Sequence, residues 1–348
     1  MNEIPKNQYT IALDAMSGDH GPEIVVRAAN KSLDKHKNLS VIFFGKKEMI
    51  GSLCSSIIGD SSRISIVDTK DIIEMSDSPV DSIRNKKDSS MRVAIDYVKN
   101  NQAHAVVSAG NTGALMATAK FVLKMLPGIS RPAIIAELPA KNNTVHMLDL
   151  GANITNDPEQ LFQFALMGSI VASDICEIEN PRVALLNIGA EDLKGNQTVK
   201  NAANLLSSSS LNYIGFVEGD EIFSGKTDVV VTDGFTGNVA LKSIEGSVDF
   251  VIGSLKEAFS INIFTKLQAL LSKSVLSQLS RKMDSRKYNG ASLVGLDGIV
   301  IKSHGGADAF SFHHAIETAV IEVKNQVPDQ IRGLLPVSYT HLTLPTKA

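Results

Sequence analysis

Cysteine is scarce in this sequence, whose 348 residues include only Cys54 and Cys176. Neither cysteine has a CxxC or Cys/His spacing around it, so the pattern argues against a metal site or a disulfide framework and favours buried thiols in a reducing compartment. The sequence also lacks an apolar run approaching 18 residues, and its first residues have no apolar signal-peptide core. We therefore expect a cytoplasmic protein that does not span a membrane.

A strong excess of charge is also missing. Thirty-four Lys and Arg residues stand against 37 Asp and Glu residues, which gives a formal net charge of −3 at pH 7. No general attraction to nucleic acid follows from that balance, so any anion site must be local. A hydrophobic content of 43% and a charged content of 20% are ordinary for a soluble globular protein.

Alternation of strand-like and helix-like segments predicts the fold. Strands are expected at residues 9–13, 40–45, 64–67 and 104–108, with amphipathic helices between them. This order is typical of an α/β fold with a doubly wound, largely parallel sheet. We predict one α/β unit with two lobes over residues 8–337, and residues 338–348, which differ in character, are expected to be a non-native or disordered tail.

The sequence is organised around residues 228–242, DVVVTDGFTGNVALK. A β-branched run ends at Asp233 and Gly234, and Gly237 and Asn238 then lead into a segment with helical spacing. Backbone N–H groups, the Asn238 amide and the Asp233 carboxylate would meet at the carboxyl end of a strand, where open α/β sheets bind ligands. An ordinary strand-to-helix turn would explain the same residues equally well.

Other predicted strands also end in glycine with a polar or basic residue. Each such loop has a simple structural explanation: a helix cap, close packing through small residues, a surface salt bridge or a solvated lysine. The candidate ligand-binding residues in these loops are Asp14, Gly18, Asp19, His20, Asn111, Thr112, Gly113, Arg131, Asn153, Lys194 and His304. Because separate loops would not be expected to share one composition by chance, we predict that they line one polar crevice suited to an anion.

None of these loops matches a cofactor fingerprint. The glycine spacing is neither GxGxxG nor a Walker A loop, so neither a dinucleotide nor a nucleoside triphosphate is implied. No Cys or His residues have metal-ligand spacing. We therefore expect no cofactor and no metal.

Residues 246–287 differ from the rest of the chain. Apolar residues at helical spacing predict two amphipathic helices joined by an apolar stretch at residues 260–264, and seven Lys or Arg residues against three Asp or Glu make the segment basic. A protruding hairpin of this kind could form a dimer arm or enter an anionic lipid surface through Ile261, Ile263 and Phe264. Simple core packing is the alternative.

Six motifs, taken in order, resemble one known family. They are DAMSGDHGP from Asp14, SAGNTGA from Ser108, DLGAN from Asp149, LNIGAE from Leu186, the stretch at 228–242, and SHGGAD from Ser303. Together they resemble the bacterial phosphate acyltransferases of phospholipid synthesis, the PlsX type, over roughly residues 8–335. That family more often has glycine where this chain has Ser17, and a side chain there could narrow the loop formed by the first motif.

The resemblance implies a fold like that of isocitrate and isopropylmalate dehydrogenases and phosphotransacetylases, and a homodimer. It implies a reaction in which acyl-[acyl carrier protein] and inorganic phosphate give acyl phosphate and free carrier protein. Lys194 would neutralise the phosphate and Asn238 would polarise the thioester carbonyl, while the other candidates bind or position substrate.

The product of that reaction would pass to a glycerol-3-phosphate acyltransferase, so peripheral attachment to an anionic membrane is expected. Three alternatives remain open: a phosphotransacetylase that uses coenzyme A, a metal-dependent dehydrogenase of the same fold, and a non-catalytic membrane scaffold.

Overall fold

The computed structural model of the protein describes residues 8–191 and 193–333, without the side chains of residues 174–176 and 285. The predicted tail at 338–348, the end of the predicted unit at 334–337 and the Cys176 side chain lie outside the described residues. Cys54 is a buried free thiol, as expected.

Strands and helices alternate along the chain as predicted. The first part contains β1 (Tyr9–Asp14), α1 (Pro22–Lys35), β2 (Leu39–Gly45), α2 (Lys47–Ile57), β3 (Ile64–Asp68), α3 (Pro79–Asn85), α4 (Ser90–Lys99), β4 (Ala105–Ser108) and α5 (Thr112–Leu123). The middle part contains β5 (Ala133–Pro139), β6 (Thr144–Leu148), α6 (Pro158–Cys176), β7 (Val183–Leu186), α7 (Gln197–Ser207), β8 (Tyr213–Val217) and β9 (Val229–Val231). The last part contains α8 (Gly234–Ser260), α9 (Ile263–Leu271), α10 (Lys273–Lys282), β10 (Ala291–Val294), β11 (Ile299–Lys302) and α11 (Ala309–Asn325).

The eleven strands form one sheet in the order β3-β2-β1-β4-β11-β10-β5-β6-β9-β7-β8. The strands β3, β2, β1, β4 and β11 are parallel to one another. The strands β6, β9, β7 and β8 are also parallel to one another. Between these two halves, β10 is antiparallel to both β11 and β5, and β5 is antiparallel to β6. The predicted largely parallel α/β sheet is confirmed, but its two halves run in opposite directions.

Helices cover both faces of the sheet. In the half that contains β1, apolar residues of α1 and α11 pack on one face and those of α4 and α5 on the other. In the half that contains β9, α6 and α7 supply a third apolar cluster. Because parallel strands are buried on both faces, β1 and β4 consist of almost continuous apolar residues.

The helical arm is longer than the sequence predicted. Its first helix, α8, begins at Gly234 rather than at residue 246, and its second helix is divided at Ser272 into α9 and α10. Asn262 caps α9, since its side-chain oxygen accepts the N–H groups of Phe264 and Thr265 at 2.9 and 3.0 Å. Across the part of the chain that the structure describes, no helix is both long enough and apolar enough to cross a bilayer.

Candidate functional site

A cleft of about 1010 Å³ lies between α8 and the sheet. The alternate residues Ile134, Ala136 and Leu138 of β5 face the cleft, because successive side chains of a strand point to opposite faces. Leu241 and Val248 of α8 supply apolar surface on the opposite wall. The cleft therefore offers an extended apolar lining to a ligand.

Three predicted residues line this cleft: Thr112, Asn238 and His304. The backbone N–H of His304 donates to Asn289 Oδ1 at 2.9 Å, and its ring Nδ1 accepts the backbone N–H of Gly306 at 3.1 Å. Asn238 is exposed on the first turns of α8. Polar groups from the end of β11, the start of α5 and the start of α8 thus meet in one space.

Lys302, the last residue of β11, also lines the cleft, and the sequence reasoning missed it. Its Nζ donates to the Ser303 carbonyl oxygen and, at 3.5 Å, to that of Ala109. Burial and, to a smaller extent, the nearby Lys242 ammonium together lower the pKa of Lys302 to about 8, against the opposing effect of the Asp14 and Asp19 carboxylates. Its position directly before SHGGAD was the available signal, since the neighbouring loop residues were already candidates.

Asp14 lies buried beneath this end of the cleft. Its carboxylate accepts the hydroxyls of Ser17, Ser90 and Ser108 at 2.5, 2.6 and 2.6 Å. The Ser17 side chain turns inward, is buried and bonds to Asp14. These three hydroxyl donors satisfy the hydrogen-bonding capacity of a carboxyl group that is withdrawn from water.

The first loop contacts the loop that follows β11. The Asp19 N–H donates to the Gly305 carbonyl oxygen at 2.9 Å. Gly18 has a φ of +94°, and a Cβ there would lie 3.1 Å from the same oxygen. Glycine is therefore required by the close approach of the two loops. Asp19 and His20 are exposed at this junction and do not line the cleft.

Asn111 and Gly113 fix the start of α5. Asn111 Oδ1 accepts the Ala114 N–H at 3.0 Å, and Asn111 Nδ2 donates to the Met75 carbonyl oxygen at 2.7 Å. A Cβ at Gly113 would approach Pro79 Cγ to 3.1 Å. These contacts hold the 75–79 segment against α5, so both residues have a structural role here.

A second group of candidates lies at the carboxyl ends of β6 and β9, which point in the opposite direction from those of β1, β4 and β11. Buried Asp149 accepts the N–H groups of Ile134, Gly151, Ala152 and Asn153 at 2.8 to 3.2 Å. Burial raises the pKa of Asp149, although these N–H groups oppose the shift. Asn153 Nδ2 donates to the Pro132 carbonyl oxygen at 2.8 Å, so Asn153 also secures this turn.

The start of α8 packs against that turn. Asp233 caps the helix, because its carboxylate accepts the Thr236 N–H at 2.8 Å. A Cβ at Gly234 would lie 2.5 Å from the Asn153 carbonyl oxygen, and one at Gly237 would lie 1.9 Å from that of Asp149. Glycine at both positions lets the start of α8 pack directly against the backbone of the turn after β6.

Lys194 and Arg131 are exposed and do not line the cleft. Lys194 Nζ lies 3.0 Å from Glu191 Oε2 in the loop after β7. The two halves of the sheet run in opposite directions. The carboxyl ends of the strands in one half therefore lie on the opposite side of the sheet from those in the other half, and the predicted residues divide between these two sides within one chain. The cleft that crosses the sheet face receives only some of them, and the predicted roles of the others stay predictions.

The sequence matches the family model described as "Fatty acid synthesis protein" over residues 9–330. This chain belongs to that family. Two of its relatives are named phosphate acyltransferase. The protein from Nitrosococcus oceani is 52% identical over 327 residues, covering 94% of this chain and 96% of the relative. The protein from Alkalilimnicola ehrlichii is 53% identical over 323 residues, covering 92% and 94%. The family predicted from the six motifs is confirmed.

Solved structures of low sequence identity share the fold of this fatty acid synthesis protein. The EutD phosphotransacetylase from Staphylococcus aureus has a TM-score of 0.60 and 17% identity over 92% of this chain and 94% of its own. A phosphotransacetylase from Streptococcus pyogenes has a TM-score of 0.61 and 17% identity over 93% and 95%. The predicted likeness to the phosphotransacetylase fold is therefore confirmed.

Proposed function

We propose that this chain is a phosphate acyltransferase that transfers an acyl group from acyl-[acyl carrier protein] to inorganic phosphate in phospholipid synthesis. Membership of the fatty acid synthesis protein family and the names of its relatives support the reaction class. The observation that carries the proposal is the cleft, which joins an apolar wall on β5 to the cations Lys242 and Lys302. Such a space suits a long acyl chain whose reactive end must meet an anion.

The proposed reaction is a direct displacement at the thioester. A phosphate oxygen attacks the carbonyl carbon, the carbonyl oxygen becomes an oxyanion, and the C–S bond then breaks. The phosphate proton passes to the departing thiolate, so the products are acyl phosphate and the free carrier thiol. Phosphate supplies the nucleophile itself, and the protein needs to bind, orient and stabilise charge.

Asn238 is suited to the oxyanion because its amide is exposed to the cleft from α8. Lys194 was assigned to the phosphate, and it lies in an exposed loop away from the cleft lining. We propose that Lys194 acts if that loop approaches the cleft, either within this chain or from a second copy in a homodimer.

The direct test is incubation with palmitoyl-[acyl carrier protein] and inorganic phosphate, followed by trapping of acyl phosphate as the hydroxamate with hydroxylamine. Palmitoyl-coenzyme A is the parallel donor. Hydroxamate formed with the carrier-protein donor and with phosphate supports the proposal. Equal or better use of coenzyme A would favour a phosphotransacetylase, and no hydroxamate from either donor with folded protein would reject both.

The helical arm supports a proposal about location. Ile261, Ile263 and Phe264 at its tip are 74 to 75% exposed, and the surrounding segment is basic. We propose a cytoplasmic protein that attaches peripherally to an anionic membrane through this tip and delivers acyl phosphate to a glycerol-3-phosphate acyltransferase. The exposed apolar residues of α8 and α9 could also pair two copies in a homodimer.

A further inference from the structure

Lys302 is held in place by backbone carbonyl groups. It pairs with Ser108 of β4 across the parallel ladder and with Ala291 of β10 on the other side. Its Nζ donates to the carbonyl oxygens of Ser303 and Ala109, which are neutral acceptors. An ammonium group has three donors, so the third can serve a ligand in the cleft.

Lys302 has no carboxylate ion-pair partner among residues 8–191 and 193–333. The acidic groups that raise the pKa of Lys302 are Asp14, whose carboxylate accepts three hydroxyls, and Asp19. A cation withdrawn from water is costly when no anion compensates it. A bound anion would remove that cost.

A second cation acts on Lys302 from α8. Lys242 is close enough to disfavour the charged form of Lys302, and its own Nζ lies 2.7 Å from Glu245 Oε2. Two like charges held near each other in a cleft are typical of a site that binds an opposite charge.

The other cleft cations are less suited to an anion. The Arg286 guanidinium is bound by Asp284 and Asp308 at 2.8 and 2.9 Å. Lys282 donates to the Lys141 carbonyl oxygen at 3.2 Å and is exposed. Among the described Lys and Arg residues that line the cleft, Lys302 alone is partly buried, since Lys141, Lys242, Lys282 and Arg286 are all exposed.

We propose that the Lys302 ammonium binds the inorganic phosphate that attacks the thioester, with Lys242 as the second cation of the same site. This assignment rests on the proposed function and adds a substrate-binding residue to it. The phosphate would lie between the end of β11 and α8, next to Asn238 at the same cleft. His304, which follows in the chain and also lines the cleft, faces the same space.

Steady-state kinetics with varied phosphate test the assignment. The variant Lys302→Met should raise the KM for phosphate by about 10- to 100-fold, since a hydrogen bond to a charged group is lost. Lys120→Met is the matched control, because Lys120 is an exposed lysine of α5 outside the cleft lining. An unchanged KM for phosphate in folded Lys302→Met would overturn the assignment.

The pH profile separates phosphate binding from a structural role and remains informative if Lys302→Met does not fold. The wild-type KM for phosphate should rise as pH passes about 8, where Lys302 loses its charge. Lys302→Arg should remove that rise, because a guanidinium stays protonated. Lys242→Met should move the rise to higher pH, since the Lys242 charge lowers the pKa of Lys302.

The charged groups around Lys302 that could interfere with this profile are few. Asp14 and Asp19 face it from the end of β1, Lys242 with its partner Glu245 faces it from α8, and His304 follows it in the chain. A rise that persists unchanged in Lys302→Arg would not come from Lys302 and would reject the assignment.

Equilibrium dialysis with radiolabelled phosphate, without acyl donor, distinguishes failure of this assignment from failure of the proposed function. Weaker phosphate binding by Lys302→Met than by wild type and Lys120→Met supports the assignment. If wild type yields no acyl hydroxamate, the proposed function fails, and dialysis still reports on Lys302. If hydroxamate forms and Lys302→Met binds phosphate like wild type, only the assignment fails.

Discussion

At the scale of single residues, Asn238 is the polar side chain best placed to act on a thioester. It is exposed at the cleft, and a Cβ added at Gly151, in the turn after β6, would lie 3.5 Å from the Asn238 Cβ. Asn238→Ala should reduce kcat by about 10²- to 10³-fold, as loss of an oxyanion donor does, without lowering the melting temperature. Hydroxamate formation and thermal unfolding measure the two effects. Asn204→Ala, an exposed asparagine of α7 outside the cleft lining, should leave both unchanged.

Lys194 requires its own variant because it lies outside the cleft lining. Lys194→Ala should also reduce turnover sharply without unfolding the protein, since its ion-pair partner Glu191 is exposed. Normal turnover in this variant would remove Lys194 from the mechanism and leave the phosphate to the cations of the cleft.

Glu322 gives a prediction about stability and pH. It is fully buried, accepts the Ser292 hydroxyl at 3.0 Å, and burial raises its pKa from an ordinary 4.5 to about 7. The folded state thus holds the proton more tightly, and stability should fall by about 3 kcal/mol as pH rises from about 4.5 to about 7. Glu322→Gln should gain stability relative to wild type over that range, measured by urea unfolding at each pH.

Glu317, on the same helix, provides the comparison of opposite sign. Burial raises the pKa of Glu317, but the hydrogen bonds from Lys35 and His36 outweigh it and hold the pKa below its ordinary value. Its contribution to stability is present above the ordinary pKa and is lost as pH falls through the folded value. Glu317→Gln should therefore lower the free energy of unfolding more at neutral pH than in acid. Relative to wild type, Glu322→Gln should become more stable with rising pH and Glu317→Gln less stable. A change in the same direction for both variants would contradict these assignments.

Sequence reasoning at this scale found polar residues but could not assign their tasks. Asn111, Asn153 and Asp233 have the residue types of a ligand site, and the structure uses them as caps and turn bonds. Lys302 was missed because a lysine at the end of a strand is ordinarily solvated. Its burial depends on β10 and α8, which come from distant parts of the chain.

At the scale of elements, the start of α8 is fixed by glycine. A Cβ at Gly237 would lie 1.9 Å from the Asp149 carbonyl oxygen, which is backbone and cannot turn aside. Gly237→Ala should lower the free energy of unfolding by about 1 to 3 kcal/mol. Gly246→Ala, farther along the same helix with no atom within 4 Å of the added Cβ, should instead stabilise it by about 0.5 to 1 kcal/mol. Denaturant unfolding compares them, and equal effects would refute the packing argument.

Most elements were predictable because their apolar spacing is strong, as in α1 and α11. Four elements were not assigned from the sequence: α3, α7, β8 and β10. Strand β10 has four residues, too few for alternation to be visible, and exists because β11 and β5 bond to it from either side. Helix α3 lies within the predicted loop at 68–88, although Pro79 after the capping Ser78 was a helix-start signal.

At the scale of the whole molecule, the tip of the arm presents apolar side chains to solvent. Ile261 and Phe264 are each 75% exposed. The double variant Ile261→Asp with Phe264→Asp should abolish co-sedimentation with anionic vesicles, because it places charge where apolar side chains would enter the bilayer. Met49→Asp, at an exposed apolar residue of α2, is the control and should sediment like wild type. Unchanged sedimentation of the double variant would reject membrane attachment through the tip.

The general architecture followed from the order of strands and helices, but the reversal within the sheet did not. Direction is set by which strands pair, and β10 and β5 pair across a long sequence separation. The sequence could therefore predict polar strand ends without predicting that they divide between two sides of the sheet.

The continuous sheet beneath the cleft also restricts how a substrate can enter. The two halves are joined through the backbone hydrogen bonds of β10, so moving them apart would break the ladder along the floor of the cleft. Helix α8 is held less firmly, because beyond its first turns most of its residues are exposed or only partly buried and pack little against the rest of the protein. We therefore expect a bulky acyl chain to enter by displacement of α8 away from the sheet, while the sheet itself keeps its hydrogen bonds.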